Sequence, residues 1–250
     1  MSATDRLVIV TGTSSGLGAA IAKALLAQDW TVVGISRRTP GFSASGYRHI
    51  ELDLSDLPRL REVVVSKLAT LVAEPKWTRI GLVNNAGAIG SMRPLEEADV
   101  LRVASVFAVN AVAPIFLTGF VIRTAPPATP LRIVNVSTGA AVQPIPGIGD
   151  YGSSKAALRL ASMTFAAELA SRERPGGARP DATILSYAPG VVDTPMQDAA
   201  RAGDRPWNRL FVDFHAQGKL VPADAPAHEV VEFLSGDDSH PYVERRFGER

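Results

Sequence analysis

This sequence predicts a doubly wound α/β fold, a parallel sheet covered by helices on both faces, and three observations predict it. Short β-branched runs alternate with longer Ala/Leu-rich stretches of helical period. The strand-like runs are apolar almost throughout, as strands buried on both faces must be. Polar or glycine-bearing turns fall at the C-terminal ends of the first, fourth, fifth and sixth runs, the edge at which such sheets bind ligands.

The elements follow in order. "RLVIVTG" (6–12) is the first strand and "GLGAAIAKALLAQ" (16–28) the first helix. "TVVGISR" (31–37) and "RHIELDL" (48–54) are the second and third strands, and "LPRLREVVVSKLATLVA" (57–73) has helical spacing. "RIGLVNNAG" (79–87) is a fourth strand ending in a polar turn, followed by a helix over roughly 96–123. "LRIVNVST" (131–138) is the fifth strand, 151–173 a long helix, and "ATILSYAPG" (182–190) the sixth strand. Segments 124–130 and 174–181 read as loops. The proline-bearing segment 191–226 is too long for a plain loop, and is either a lid or a carrier of short helices.

A chain of 250 residues fits one domain, here 1–250 with a lid in about 191–226, and can bury roughly 70–75% of its unfolded surface. It has no cysteine, which excludes disulfides, thiolate metal sites and a cysteine nucleophile and suits a reducing cytoplasm. No metal site is expected. The opening "MSATDRLVIVTG" has an apolar run too short for a signal peptide, and no window approaches the length of a membrane span. A net charge of +1 with interspersed signs gives no electrostatic footprint for nucleic acid or membrane surfaces. The expected partner is a small molecule.

"TGTSSGLG" (11–18) follows a strand and opens a helix. Glycines at 12, 16 and 18 let a helix N-terminus approach a pyrophosphate, whose charge its free N–H groups favour. Three glycines also suit a plain Gly/Ser turn; the β-turn-α setting favours the dinucleotide. The second strand ends in Ser36-Arg37-Arg38 where an acid would select NAD(H); a guanidinium suits a 2′-phosphate and points to NADP(H). The alternative for both arginines is a solvated loop. Asp53 has two open uses, accepting from the adenine amine or, like Ser55, capping the next helix.

At the other end, "DYGSSKAALRL" (150–160) puts Tyr151 and Lys155 four residues apart, on one helix face. A phenol of ordinary pKa near 10 protonates an alkoxide slowly unless its anion is favoured, and an adjacent ammonium would favour it. Ser137, at the end of the fifth strand, could orient a carbonyl beside them. A Tyr/Lys pair taken alone is equally a surface pair with a snorkelling lysine.

These residues carry a resemblance. With "TGTSSGLG", "NNAG" (84–87), Asn110 in "FAVNAVAP", Ser137, "YGSSK" and "PGVVDTPM" (189–196) in the same order and spacing, the chain resembles the short-chain dehydrogenase/reductases, single-domain Rossmann-fold oxidoreductases. The resemblance implies Tyr151 as general acid or base, Lys155 lowering its pKa and binding the nicotinamide ribose, and Ser137 orienting the substrate carbonyl. It implies Asn110 holding a relay water. For the cofactor it implies Gly12, Ser14, Ser15, Gly16, Leu17 and Gly18 at the pyrophosphate, Asn85, Ala86 and Gly87 on the adenosine side, and Pro189, Gly190, Val192 and Thr194 at the nicotinamide. It also implies a homodimer or homotetramer.

"YAPGVVDTPM", "VSTGAAVQPIPGIGDYGSSKAAL" and the Arg37 ending look like the sepiapterin/benzil reductase branch. The tail "FLSGDDSHPYVERRFGER" departs from the pattern: the only acid where sepiapterin reductases anchor the pterin is Glu244, followed by two arginines, so a pterin is not expected. Stretch 139–150 has apolar side chains at Val142 and Ile145 and no cation, so with Met196 and the lid residues Trp207, Leu210, Phe211 and Phe214 it suits a flat apolar substrate or simple packing. The expected function is an NADPH-dependent carbonyl reductase of a small hydrophobic ketone or α-diketone. The alternatives are an alcohol dehydrogenase or a dinucleotide-sensing regulator without turnover.

Overall fold

Valine, isoleucine and leucine runs that cannot leave either face in water are satisfied here by seven parallel strands in the order β3-β2-β1-β4-β5-β6-β7. A computed structural model describes residues 5–172, 181–203 and 205–249. The strands are β1 (Arg6–Thr11), β2 (Thr31–Ser36), β3 (Tyr47–Glu51), β4 (Arg79–Asn84), β5 (Leu131–Val136), β6 (Ala182–Ala188) and β7 (Tyr242–Arg246). The helices are α1 (Gly16–Leu26), α2 (Leu57–Val72), α3 (Val100–Phe107), α4 (Ala113–Thr124), α5 (Gly149–Ser171), α6 (Pro195–Arg201), α7 (Asn208–Ala216) and α8 (Asp224–Ser235).

One face of the sheet is covered by α2, α4 and α5, through residues such as Leu60, Val64, Leu117 and Leu169. The other is covered by α1 and α8, through Ile21, Leu25, Val230 and Leu234. The chain leaves β1 for β2 and β3 on one side and returns to place β4 on the other, so the strand order reverses between β1 and β4. That reversal opens a crevice beyond the strand ends, and the turns after β1 and β4 face each other across it.

Several expectations are corrected. The helix expected over 96–123 starts later and is interrupted by a π turn at Ala108–Val112, which places the buried Asn110. Together Val100–Thr124 form a 25-residue stretch containing an 18-residue window of mean hydropathy 2.0, apolar and long enough for a membrane span contrary to expectation; 61% of that window is buried inside the fold. The charged tail forms β7, an edge strand whose Glu244, Arg245 and Arg246 blunt the open edge. Segment 191–226 carries α6, α7 and the start of α8. The loop expected at 174–181 lies outside the described residues but for Asp181.

A buried polar ladder fixes the sheet to α4 and α5. Asn84 and Asn135 are register partners on β4 and β5, and Asn84 Nδ2 donates to Asn135 Oδ1 at 2.7 Å and to Thr118 Oγ1 at 3.3 Å. Asn135 Nδ2 donates in turn to Ser162 Oγ of α5 at 2.7 Å. Truncating the middle of the ladder strands buried donors and acceptors. Asn135→Ala is expected to cost roughly 2–3 kcal/mol and lower the melting temperature by roughly 5–10 °C, as read by calorimetry.

Candidate active site

The glycine turn is shaped by contacts that exclude any side chain. Gly12 has φ +78° and Gly16 +56°, the left-handed region that favours glycine. A Cβ on Gly18 would collide with the Gly12 carbonyl and the Asn85 amide. Asn85 braces the turn from the β4 side: its Nδ2 donates to Thr11 O at 2.9 Å, and the backbone N–H groups of Asn85 and Ala86 both donate to Thr11 Oγ1 at 3.0 Å. Ser15 is the N-cap of α1, and among the described residues its hydroxyl makes no capping bond. A helix N-terminus held open beside flat glycine backbone fits the pyrophosphate of a dinucleotide.

Other cofactor-side residues sit around this turn. Thr194, the N-cap of α6, packs its methyl within 2.8 Å of where a Gly16 Cβ would lie. Val192 bridges Val221 and closes the base of segment 191–226, while Pro189 and Gly190 lead into it from β6. Gly87 follows the same turn after β4. It borders Met196 and the Asn110 side chain.

Arg37 follows β2 with its side chain 76% exposed and stands 4.0 Å from Asp53. Burial alone would raise the Asp53 carboxyl, but the Ser55 N–H and hydroxyl and the Arg37 charge hold it below its ordinary value. The cap of α2 is Asp56, which accepts from Arg59 N at 3.0 Å, rather than Asp53 or Ser55.

At the reactive end, α5 begins two residues before Tyr151 and lays Lys155 against β5. Lys155 is buried, and its Nζ donates to Val136 O at 2.7 Å and lies 6.0 Å from the Tyr151 ring centroid. Of the two neighbouring hydroxyls, that of Thr138 is the one that acts on the Tyr151 phenol, favouring its anion. Neighbouring residues of an extended chain face opposite sides, so only one of the two can point at the phenol. Ser137 instead donates its backbone N–H to Tyr187 O at 2.7 Å.

The electrostatics also correct the expectation. Burial pushes the Tyr151 phenol up to about 12, the Thr138 bond offsetting only part of the rise, and burial pushes Lys155 down to about 8. In this geometry the ammonium serves the Val136 carbonyl and does not bring the phenol below its ordinary value.

Asn110 braces the site. Its Oδ1 accepts from Ala88 N and its Nδ2 donates to Ala88 O, both at 2.8 Å, and Nδ2 also reaches Ser154 Oγ at 3.0 Å. Ser154 Oγ donates to Tyr151 O at 2.7 Å. Both ends of the amide are thus engaged with the chain.

Tyr151 borders an apolar cluster of Ala140, Ile148, Ala200 and Phe211, with Ile145 and Phe214 packed against it. Phe211 and Phe214 meet edge to face at 6.3 Å between ring centroids. Val142 is exposed, and His215 sits exposed on α7. Glu244 is committed to Arg159 and to the Tyr242 hydroxyl. Thr138 beside the phenol, and Ala88 and Ser154 on the Asn110 amide, are the positions near the site that sequence spacing did not isolate.

A lysine whose folded pKa lies below its unfolded 10.5 burdens the fold while protonated, and the burden lifts as pH rises from about 8 toward 10.5. Lys155→Met is therefore expected to stabilise the protein near pH 7 by roughly 1–2 kcal/mol, net of the lost Val136 bond. The advantage should shrink toward pH 10. Melting temperatures of both proteins at the two pH values check this.

The model of the short chain dehydrogenase family matches residues 6–205. The chain is 32% identical over 245 residues to a benzil reductase ((S)-benzoin forming) of Bacillus cereus, covering 93% of this chain and 95% of that protein. To the sepiapterin reductase of Bos taurus it is 28% identical over 254 residues, covering 92% and 90%. Among solved structures, the KRED1-Pglu enzyme superposes with a TM-score of 0.76 at 27% identity over 95% of this chain and 100% of that one. A short-chain dehydrogenase/reductase from Burkholderia vietnamiensis does so at 0.67 and 34% identity, over 80% and 89%. The chain belongs to the short-chain dehydrogenase family, oxidoreductases that act on CH–OH and C=O groups with nicotinamide dinucleotides.

Proposed function

We propose that this protein is an NADPH-dependent carbonyl reductase of small hydrophobic ketones or α-diketones, one domain over 1–250 with a lid in about 191–226. The observation that carries the reading is the Tyr151 phenol packed at the edge of the apolar cluster with Lys155 Nζ 6.0 Å from its ring centroid, and Thr138 acts on the same phenol. A carbonyl laid against Ile145, Ile148 and Phe211 would direct its oxygen to these two donors. Tyr151 would give its proton to that oxygen while Thr138 holds it in place. When bound, a reduced nicotinamide supplies the hydride. Lys155, fixed by Val136 O, is positioned to meet the cofactor's ribose, and Asn110 keeps the 88 segment and the Tyr151 backbone in register.

The likeness to benzil and sepiapterin reductases supports the substrate class. At the rim, Arg93 and Arg205 share one carboxylate, Glu97, at 3.4 and 3.3 Å, which offsets part of their charge. Exposed Arg37 with Arg38 beside it supports NADP(H). Val100 and Leu101, 75% and 77% exposed on α3, and Leu160, 65% exposed on α5, support a homo-oligomer. A cytoplasmic setting belongs to the same proposal, supported by a sequence without cysteine.

The test follows loss of reduced-nicotinamide absorbance with NADPH or NADH against benzil, 1-phenyl-1,2-propanedione, sepiapterin and a 3-oxoacyl thioester. Turnover of the aryl diketones with NADPH is expected. Preference for NADH would refute the role given to Arg37, and tight NADPH binding without turnover would establish the regulator instead. Tyr151→Phe should lower kcat at least ~10²-fold. Arg37→Ser should raise the KM for NADPH about tenfold, the loss of one charge-assisted bond, with the KM for NADH unchanged.

A further inference from the structure

Segment 88–93 joins the turn after β4 to the apolar side of Tyr151, and almost every residue of it is tied to another element. Ala88 is clamped by Asn110, and Gly90 O accepts from Arg102 Nη2 at 2.8 Å. Met92 O accepts from Trp207 Nε1 at 2.7 Å, and Arg93 bridges Ile148. Trp207 in turn lies flat over Gly147, whose φ of +84° and missing side chain leave room for the indole. The segment therefore touches the first turn of α5 on one side and the lid on the other.

The tie to α5 is a buried carboxylate. Asp150 is 4% exposed; its Oδ2 accepts from Ser91 N at 3.1 Å and Ser91 Oγ at 3.3 Å, and its Oδ1 accepts from Tyr151 N at 2.8 Å. Gly90, at φ +88°, comes so close that any Cβ there would overlap both carboxylate oxygens. Burying a carboxylate is costly unless its oxygens are bonded. Among the described residues its hydrogen bonds go only to the loop that walls the apolar pocket and to the residue that carries the phenol. The α5 N-terminus adds a favourable dipole at the same place.

We propose that Asp150 is a positioning residue. It locks segment 88–93 to the first turn of α5, and through the Met92 carbonyl it seats Trp207 and the lid over the apolar side of Tyr151. The inference rests on reading Tyr151 as the proton donor, and its expected signature is a loss of substrate fit with the proton-donating group intact.

The test compares the full-length protein with Asp150→Asn, which keeps the size but has one acceptor oxygen and so cannot accept from both Ser91 and Tyr151 N, and with Ser91→Ala. Trp207 emission is isolated by subtracting Trp207→Phe spectra, the buried Trp30 and Trp77 serving as a constant background. Asp150→Asn should red-shift Trp207 emission and raise the KM for the diketone about tenfold, with kcat, its pH profile and NADPH affinity little changed. Ser91→Ala should move both readouts in the same direction by less, and the double variant should go no further than Asp150→Asn. Unchanged Trp207 emission and KM would overturn the proposal, as would a joint fall in kcat, NADPH affinity and melting temperature at constant KM. Should Asp150→Asn fail to fold, Ser91→Ala decides alone by the same two readouts. If the unsubstituted protein reduces no ketone, the functional reading fails, while Trp207 emission in these variants still decides the role of Asp150.

Discussion

The bond from the buried Lys155 ammonium to the Val136 carbonyl is the interaction on which the reactive end depends. A lysine in such a place loses the water that would solvate it, and a carbonyl at the end of β5 is a modest replacement. The fold accepts that cost because the bond seats α5 on the sheet at one point of its first turns. Tyr151, one turn earlier on the same face, is then held against Thr138. The same burial that lowers Lys155 raises Tyr151, so both shifts have one origin, a helix start packed too closely for water.

The cofactor end rests on a steric constraint instead. Gly18 lies against the Gly12 carbonyl and the Asn85 amide, so the turn after β1 and the turn after β4 are fitted to each other before anything binds. Strand order makes this possible, because β1 and β4 are neighbours across the switch point. Asn85 braces the crevice by holding the Thr11 backbone. Two turns fixed at one crevice and a helix start fixed at the next strand put the two ends of a dinucleotide site in a single frame.

What was legible in the sequence follows from how local each cause is. Six strands could be read because their β-branched runs have no other place to go, and the glycine turn because only glycine tolerates its backbone. β7 could not, because "YVERR" owes its place to an edge, where charge is tolerated and apolar periodicity vanishes. The π turn at Asn110 leaves the apolar period nearly intact, so the spacing runs straight through it. The choice between Ser137 and Thr138 turns on which way a strand end faces, a matter of one residue of alternation that adjacent hydroxyls conceal. The direction of the Tyr151 shift depends on where the Lys155 ammonium goes, and the i,i+4 spacing fixes only that the two side chains share a face.

Charge is distributed over the molecule in a way that separates recognition of the cofactor from recognition of the substrate. Beyond β2 the exposed Arg37 has only a 4.0 Å contact with Asp53 and so retains most of its capacity to bind an anion. Near the lid, Glu97 lies between Arg93 and Arg205, and Arg205 also stacks on the Trp207 ring at 5.7 Å. Arginines engaged in this way offer little to a carboxylate or phosphate on the substrate, whereas the apolar surface of Ile145, Ile148 and Phe211 offers area to a ring. A net charge of +1 thus conceals two different environments, an exposed arginine pair beyond β2 and an apolar cluster beside Tyr151.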